Sequence, residues 1–373
     1  MKILVCSSEY PPYGSGIGNV VCNVIVQFRK KGIECTICSP SGPDIHLGSH
    51  ELINKFGFLG LLYYWYQVTL FFNKKNAYDV VWLHNPYFIF SNPFSRCLIT
   101  IHTTYYGLSH YHVGNTFFLR TYNKIISLLE RYCLGKICKT TAYTVVSQTV
   151  CEELEQVGIP KECISYIPNG VDIKKFRPSE SKQELRKKFR IPEDEIVLLS
   201  IGRLTPQKQP FVLVDTFSII EKRIGNVALY ISGKGELFHS IKDHVKKMHV
   251  HKIHFLGYIN DEDIPYLYAC CDYFIITSKY EGLPLTLIEA MASGLPCIVS
   301  DIPHLQIVRD ADCGLIVRFE DVEEASDQIY TYLTGIHQDH SNNARNYAAD
   351  TLNLEIIAQK YYEIFGNCVK SSS

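Results

Sequence analysis

Two glutamates, Glu281 and Glu289, lie eight positions apart in a segment of small and apolar residues, 280–301, YEGLPLTLIEAMASGLPCIVSD. The segment follows the strand-like sequence YFIIT, and LTLIEAMASG has the pattern of a helix that begins near Pro284. A carboxylate accepts hydrogen bonds from two adjacent hydroxyls, so Glu289 suits the diol of a ribose. The alternative is that neither glutamate binds a ligand: one is favoured at the helix start by the helix dipole, and the other is solvated.

The start of this predicted helix suits an anion. The backbone amides near Leu283, Leu285 and Thr286 would be donors without partners inside the helix, and phosphate groups bind at such positions. Gly282 and Pro284 would shape the turn that leads into the helix. The segment therefore predicts a ligand that carries both a phosphate and a sugar diol.

Two cations follow another predicted strand. Arg203 and Lys208 lie five residues apart on a loop that comes after IVLLSIG, just beyond Gly202. Separated cations of this kind can hold both phosphates of a diphosphate and stabilise the charge that develops on a leaving phosphate.

Glycine turns follow two further predicted strands. Gly233 comes after VALYIS, and Gly14, Gly16 and Gly18 come after the first strand, in a loop that enters a helix. Backbone at such glycines can approach a ligand closely. The second loop is not the G-x-G-x-x-G dinucleotide fingerprint, because Asn19 stands where the third glycine is required. A dehydrogenase is therefore disfavoured.

The elements that must position these residues form a regular alternation. Short β-branched runs alternate with helical patterns, which predicts parallel sheets with crossover helices. Strands are predicted at 2–7, 34–39, 79–83, 97–102, 142–147, 196–202, 227–232, 253–256, 273–277 and 297–300, with helices notably around 16–31 and 117–138. Ligands of such sheets bind beyond the carboxyl ends of strands, where the candidate residues lie.

A chain of 373 residues is too long for one core, because single cores stop growing at about 250–300 residues. Residues 167–195 are charged and interrupted by proline and glycine, which is typical of a connection between domains. We therefore predict an α/β protein of two Rossmann-like domains, with parallel sheets that face each other across a cleft.

The overall composition limits which kinds of partner and which cellular compartment are expected. With 37 basic and 38 acidic residues and a net charge of −1, the chain has no overall field that would attract nucleic acid. The 14 cysteines are scattered, and the only C-x-x-C, Cys35 to Cys38, lies in a strand pattern without a second pair. The N-terminus predicts a strand rather than a signal peptide. We expect buried free thiols and a cytoplasmic location.

These motifs together resemble the retaining glycosyltransferases of family four, which have the GT-B fold. The resemblance rests on EGLPLTLIEAMASGLPCIVSD with its E-x7-E spacing, on IGRLTPQK, ISGKGE, FLGYI and IPNGVD, and on the glycine loop at 14–18. It runs over essentially the whole chain. It implies an N-terminal acceptor-binding domain at 1–175, a nucleotide-sugar-binding domain at 190–350, and a C-terminal part, 351–373, whose helix crosses back to the N-terminal domain.

The resemblance also implies residue roles. Arg203 and Lys208 would grip the diphosphate, Glu281 would contact the donor sugar, and His102 would touch the donor sugar and the reacting centre. His84, after DVVWL, is a candidate on the acceptor side. The remaining contacts to the nucleotide sugar are implied for Gly16, Gly202, Gly233, Tyr258, Gly282, Leu283, Pro284, Leu285 and Glu289.

The chain departs from the family pattern in places. Gln209 and Pro210 follow Lys208 where the family often has glycine, and Thr103 follows His102 where a His-Asp pair is commoner. The second departure affects the acceptor side. Asp261 and Asp263 form a D-x-D, a pattern that elsewhere holds a metal, but here it precedes a predicted helix and is interpreted as capping. No metal or other cofactor is expected.

The implied reaction transfers a sugar from a nucleotide diphosphate to an acceptor hydroxyl with retention at the anomeric carbon. The leaving phosphate oxygen would take the acceptor proton. The alternatives are a GT-B epimerase or phosphorylase, a non-catalytic nucleotide-sugar-binding subunit, and a dehydrogenase.

The acceptor is the least defined part. The aromatic run at 56–73 is near the lower limit for a membrane span, but its three tyrosines, Gln67 and Thr69 favour a half-buried helix. With the basic amphipathic segment 117–139 it suggests peripheral contact with the inner face of the cell membrane and a lipid-linked or polysaccharide-precursor acceptor. Ordinary core packing and solvated helix faces are the alternative.

Overall fold

The computed structural model describes residues 1–12, 16–72, 77–114, 116–137, 141–335 and 339–370. Gly14 of the predicted glycine loop lies outside these ranges, as do Asn73, residues 138–139 and the tail after Lys370. The chain divides into two compact units. The first consists of Met1–Gly170 and the chain from Leu354 onward, and the second is Val171–Asn353.

The first unit contains a parallel sheet. Its seven strands are β1 (Lys2–Ser7), β2 (Glu34–Ser39), β3 (Ile45–His46), β4 (Val80–His84), β5 (Cys97–Ile101), β6 (Ala142–Val145) and β7 (Ile164–Tyr166). They lie in the order β3-β2-β1-β4-β5-β6-β7. Its helices before β7 are α1 (Gly16–Lys30), α2 (His50–Phe56), α3 (Phe58–Phe72), α4 (Tyr105–His110), α5 (Phe117–Leu134) and α6 (Gln148–Val157). Every residue of β4 and β5 is buried, as expected for strands covered on both faces.

The second unit repeats this arrangement. Its strands are β8 (Ile196–Ile201), β9 (Val227–Ser232), β10 (Ile253–Gly257), β11 (Tyr273–Ile276), β12 (Cys297–Ser300) and β13 (Gly314–Val317). They form a parallel sheet in the order β10-β9-β8-β11-β12-β13. The helices are α7 (Lys182–Phe189), α8 (Pro210–Arg223), α9 (Phe238–Lys247), α10 (Ile264–Cys270), α11 (Leu285–Ala292), α12 (Ile307–Asp310), α13 (Val322–Thr334) and α14 (His340–Thr351).

The last helix, α15 (Leu354–Lys370), belongs to the first unit. Its Tyr361 and Phe365 pack against Trp82 of β4, with ring centroids 4.9 and 5.6 Å away. The prediction of two Rossmann-like units with parallel sheets is confirmed, and so is the prediction that the final helix packs on the N-terminal sheet.

The segment that the sequence predicts as a connection contains α7, whose buried residue is Arg186. The Arg186 guanidinium donates to the carbonyl oxygens of Cys270, Glu193 and Glu195 at 3.1, 2.8 and 3.0 Å, and to the Asp272 carboxylate at 2.6 Å. Those contacts fasten the segment to the start of β8 and the loop before β11. A buried arginine therefore helps to hold a charged stretch that has no apolar face.

The prediction that the D-x-D caps a helix through its side chains is wrong. Asp263 occupies the N-cap position of α10, but its side chain makes no capping hydrogen bond. It is ion-paired with Lys188 of α7, at 2.6 Å. A tertiary ion pair has displaced the local capping interaction that the sequence pattern indicates.

The aromatic run is confirmed as a half-buried helix. In α3, Tyr64, Trp65 and Val68 face the core while Leu59 and Leu70 are exposed. No helix in the described ranges is long and apolar enough to cross a membrane. The thirteen cysteines that the structure describes are all free, and Cys35 and Cys38 are buried as predicted.

Candidate functional site

In the second unit, a recess opens at the carboxyl ends of β8 and β11. Three of the predicted residues line it, namely Gly202, Arg203 and Lys208. The other lining residues are Ser200, Ile201, Leu204, Pro210, Leu213, Ile231, Ile276, Thr277, Ser278 and Thr286. The position matches the expected ligand site of a doubly wound sheet.

The loop that carries Arg203 is fixed by the glycine turn after β9. Leu204 donates its amide to the Lys234 carbonyl at 3.0 Å, and Gly202 donates to Ser232 at 3.0 Å. Gly233 has a φ of +137°, and a Cβ there would lie 1.9 Å from the Gly202 carbonyl oxygen. Glycine is therefore required at 233 by the close packing of two protein loops, independently of any ligand.

The two cations differ in their electrostatic surroundings. Lys208 is ion-paired with Glu281, whose side chain is 8% exposed. Arg203 is exposed, and it has no ion-pair partner in the part of the chain that the structure describes. Because Lys208 and Glu281 balance each other, the uncompensated positive charge at the recess is that of Arg203.

The turn between β8 and α8 is tied to the loop after β11, which brings Lys208 to Glu281. The Gln207 side chain donates to the Tyr280 carbonyl at 2.8 Å, and the Thr277 hydroxyl donates to the Lys208 carbonyl at 2.9 Å. Gln209 adopts a left-handed conformation, with φ 49° and ψ 50°. Gln209, which replaces the family's glycine, therefore adopts a backbone conformation that is usual for glycine, and this costs a larger residue some strain.

Helix α11 begins beside this recess without a side-chain cap. Pro284 is its N-cap residue, no side chain caps the helix, and Thr286 lines the recess. The amides of Leu285 and Thr286 come before the first intrahelical hydrogen bond, which Leu287 donates to the Pro284 carbonyl at 3.2 Å, and this turn carries the positive end of the helix dipole. Gly282 and Leu283 are buried just before this turn. The backbone amides of Leu285 and Thr286 can donate hydrogen bonds to a phosphate oxygen.

Glu289, one turn further along α11, lies outside the residues that line the recess. Its carboxylate accepts a hydrogen bond from the Tyr268 hydroxyl at 3.1 Å. Burial raises the pKa of Glu289 to about 7, partly opposed by that hydrogen bond. The carboxylate can therefore exchange a proton near neutrality.

Tyr258 follows β10 and is 67% exposed. The preceding Gly257 has a φ of +67°, and its carbonyl accepts from the Gly233 amide at 2.8 Å. The glycine turn after β9 and the end of β10 are therefore joined through backbone groups.

His102 and Gly16 lie in the first unit and are described separately. His102 directly follows β5 and is buried, as is His84 at the end of β4. The two rings are joined by a hydrogen bond of 3.0 Å between Nδ1 of His84 and Nε2 of His102. Gly16 is the exposed first residue of α1, and a Cβ added there would meet no atom within 4 Å.

Sequence reasoning missed three features of these sites. The ion pair between Lys208 and Glu281 joins residues 73 positions apart, which no local pattern reveals. Thr277 and Gln207 hold the Lys208 turn, and the only signal was their place next to motif residues. The sequence indicates His84 as a candidate on the acceptor side but gives no sign of its contact with His102.

Two family models match the chain, one on each unit. A model described as Glycosyltransferase Family 4 matches residues 14–175, and a model described as Glycosyl transferases group 1 matches residues 181–351. Together they account for most of the chain.

Similar proteins carry the same class of name. The UDP-Gal:alpha-D-GlcNAc-diphosphoundecaprenol alpha-1,3-galactosyltransferase of Escherichia coli is 36% identical over 166 residues, which cover 43% of this chain and 42% of that protein. The mannosylfructose-phosphate synthase of Agrobacterium fabrum is 34% identical over 158 residues, covering 39% and 34%. The matched segments thus span less than half of either relative.

Among solved structures, sucrose-phosphate synthase from Thermosynechococcus elongatus superimposes with a TM-score of 0.80, at 19% identity and with full coverage of both chains. That likeness establishes the fold. With a glycosyltransferase model matched on each unit, the chain belongs to the glycosyltransferases of family four and has the GT-B fold.

Proposed function

We propose that the protein is a retaining, metal-independent glycosyltransferase that moves a sugar from a uridine or guanosine diphosphate sugar to an acceptor hydroxyl. The observation that carries the proposal is the recess at β8 and β11, where Arg203, Lys208 and the uncapped start of α11 converge. Such a set of donors suits a diphosphate that gains charge as it leaves. The name of the E. coli relative, with a UDP-sugar donor, supports the same donor class.

In the proposed reaction, the bond from the anomeric carbon to the leaving phosphate oxygen breaks through an oxocarbenium-like state. The acceptor oxygen forms its bond on the same face, and its proton passes to that phosphate oxygen. Arg203 supplies the uncompensated positive charge that stabilises the departing diphosphate, helped by the α11 amides. Lys208, balanced by Glu281, would position the diphosphate, and Glu281 would lie next to the donor sugar.

The remaining roles rest on the family resemblance. Glu289 would bind the ribose hydroxyls, and Tyr258 would lie near the base. His102 would contact the donor sugar, and Gly16 the diphosphate. A non-catalytic nucleotide-sugar-binding subunit and an epimerase remain the rival functions. Both would bind the nucleotide sugar without transferring the sugar.

Thermal stabilisation by nucleotides tests the donor class. A ligand that binds only the folded protein raises its melting temperature, and the rise grows with the logarithm of the ligand concentration relative to Kd. UDP or GDP is expected to stabilise the protein, while NAD leaves the melting temperature unchanged. Stabilisation by NAD alone would contradict the proposal.

Nucleotide affinity is expected to depend on pH through Glu289. The pKa of Glu289 is raised to about 7 by burial, so part of the population is protonated at neutral pH. Only the carboxylate form accepts from both ribose hydroxyls. The affinity of the protein for a nucleotide sugar is therefore expected to rise about tenfold from pH 6 to pH 8, with a proton released on binding.

Calorimetry in buffers of different ionisation enthalpy measures both the affinity for the nucleotide sugar and the number of protons released on binding. An intact nucleotide sugar is the probe, because its diphosphate diester does not titrate near neutrality. Glu289→Gln is the matched control and is expected to bind more weakly and without the pH dependence. An unchanged pH dependence in Glu289→Gln would assign the titration to another group.

The acceptor side offers a surface for a membrane. In α5, Phe117 and Phe118 are 87% and 81% exposed. The other exposed apolar side chains of this helix are Leu119, Ile125, Leu128, Leu129 and Tyr132. At 100° per residue all of these positions except Leu119 lie on one stripe of the helix, opposite the buried stripe that contains Ile126 and Cys133.

Charges around this stripe favour an anionic bilayer. Arg120, Lys124 and Arg131 are exposed on α5, and the only acidic residue of the helix, Glu130, is buried. The neighbouring helix α3 has no charged residue, and its Phe58 amide donates to the Tyr122 hydroxyl of α5 at 3.2 Å. A cationic helix with an exposed apolar face suits peripheral binding to anionic lipid.

We therefore place the protein at the cytoplasmic face of the cell membrane, with a lipid-linked glycan or polysaccharide precursor as acceptor. The lipid-linked acceptor in the name of the E. coli relative supports this class of acceptor. The free cysteines support a reducing compartment.

Removing the two exposed phenylalanines is expected to release the protein from vesicles. The double variant Phe117→Ser/Phe118→Ser should bind phosphatidylglycerol-containing vesicles roughly tenfold more weakly in cosedimentation, because two large apolar side chains no longer enter the interface. The matched control is Tyr362→Ser, which removes an exposed aromatic ring from α15. Equal loss in both variants, or no binding by the unmodified protein, would remove the membrane proposal.

A further inference from the structure

The histidines at the ends of two neighbouring strands form a buried pair. His84 is the last residue of β4, and His102 directly follows β5, the next strand in the sheet. Nδ1 of His84 and Nε2 of His102 are 3.0 Å apart. The exposed fractions of the two residues are 1% and 4%. The contact is therefore a hydrogen bond inside the protein, with little competition from water.

Asn85, the residue after His84, fixes the backbone of the same segment. Its side-chain oxygen accepts a hydrogen bond from the backbone amide of His102 at 2.9 Å. The backbone amide of Asn85 donates to the Thr100 carbonyl at 3.0 Å. Asn85 adopts a left-handed conformation, with φ 46°, which asparagine tolerates better than most residues other than glycine. Two consecutive residues at the end of β4 thus hold His102: Asn85 holds its backbone and His84 holds its ring.

Both rings are neutral near pH 7. Burial lowers the pKa of His102 to about 3. Burial and the neighbouring His102 hold the pKa of His84 well below its ordinary value. Because neither ring is charged, one of the two nitrogens in the 3.0 Å contact carries the proton and the other accepts it.

The second ring nitrogen of His84, Nε2, decides which of the two histidines donates the hydrogen bond. This Nε2 is buried and has no hydrogen-bond partner among the residues that the structure describes. If His102 donated, His84 would carry its proton on this Nε2 and leave an N–H group unpaired in the interior. If His84 donates through Nδ1, only a lone pair at Nε2 is left without a partner. Unpaired buried N–H groups are the rarer of the two in folded proteins.

We infer that His84 is a positioning residue that fixes His102 as the tautomer protonated on Nδ1. Nε2 of His102 is then occupied by His84, and the nitrogen left for other contacts is a hydrogen-bond donor. The catalytic consequence rests on the proposed function, in which His102 contacts the donor sugar. His102 would then donate through Nδ1 to a sugar oxygen, and it would act neither as a base nor as an acid at this position. His84 would have no contact with the acceptor.

Nitrogen NMR of protein labelled with ¹⁵N-histidine tests the tautomer without reference to activity. Signals are assigned by comparing spectra of single histidine variants. Near pH 7 the expected His102 pattern is a protonated Nδ1 and a bare Nε2. A scalar coupling between His84 Nδ1 and His102 Nε2 is expected across the hydrogen bond, with the proton on His84. A His102 that is protonated on Nε2, or on both nitrogens, would overturn the inference.

Two variants test the positioning role. His84→Asn keeps an amide donor near the position of Nδ1, and His84→Leu removes the donor at similar size. His84→Asn is expected to retain the His102 tautomer and most of the turnover. His84→Leu is expected to lose the fixed Nδ1–H tautomer and to lower kcat about tenfold, with a smaller change in the donor KM. Loss of packing alone would not be rescued by asparagine.

The outcomes separate this inference from the proposed function. The expected NMR pattern in a protein that transfers no sugar would contradict the proposed function and leave the His84 assignment intact. Retention of the Nδ1–H tautomer in folded His84→Leu would overturn the positioning role, whatever the activity. If His84→Leu does not fold, the coupling in the unmodified protein decides: its presence supports the inference and its absence overturns it.

Discussion

Replacing Arg203 by glutamine is expected to lower turnover by about 10²- to 10³-fold, the range seen when one preorganised donor to a developing anion is removed. Arg203 carries the uncompensated positive charge at the recess, because Lys208 is already paired with Glu281. The charge on the leaving diphosphate grows only as the bond breaks, so kcat should fall more than donor affinity. Steady-state kinetics with the accepted donor measure both.

Lys222→Gln is the matched control, because Lys222 is an exposed cation at the far end of α8 from the recess. It is expected to retain full turnover. Arg203→Lys should recover only part of the activity, since an ammonium group cannot reproduce the planar fork of donors. Equal turnover in Arg203→Gln and the unmodified protein would remove Arg203 from the proposed mechanism.

The largest effect on stability is expected at Arg186. Arg186→Leu should lower the free energy of unfolding of the second unit by about 2–4 kcal/mol, because it removes a buried guanidinium that donates to several acceptors, while Asp272 keeps its ion pair with Lys182. The variant also leaves the Glu193 and Glu195 carbonyls without their donor, and takes from Asp272 a hydrogen bond of 2.6 Å. Chemical denaturation followed by circular dichroism measures the change.

Lys187, the next residue on α7, supplies the control. Its ion pair with Glu193 is exposed and 3.6 Å long, so Lys187→Met should cost no more than about 1 kcal/mol. A similar loss in both variants would mean that the buried network contributes little beyond helix propensity.

The fold was predictable because its signals are local. Buried β-branched runs and the glycine turns between strands and helices predict parallel α/β units directly. The strands that flank the recess, β8 and β11, end within one residue of their predicted ends. The motif residues fall beyond the carboxyl ends of those strands, as the topology requires.

What the sequence could not predict depends on tertiary contacts. Glycine is required at 233 because the Gly202 carbonyl, in the loop after another strand, packs against it, whereas the sequence pattern attributes this glycine to a ligand. Asp263 has a capping position in sequence but pairs with Lys188 of another helix. Arg186 lies in a charged segment that predicts a solvated connection, yet it is buried. In each case a partner far away in sequence decides the role of the residue.

The most direct test of the central claim is a donor panel. The purified protein and Glu289→Ala are incubated with UDP- and GDP-sugars, and the released nucleoside diphosphate and any transferred sugar are measured by mass spectrometry. We predict that the unmodified protein cleaves at least one of these donors, and that Glu289→Ala does so about tenfold or more slowly, because the ribose has lost its acceptor. A folded protein that binds a nucleotide sugar but cleaves none, with or without acceptor glycolipids, would contradict the assignment as a transferase.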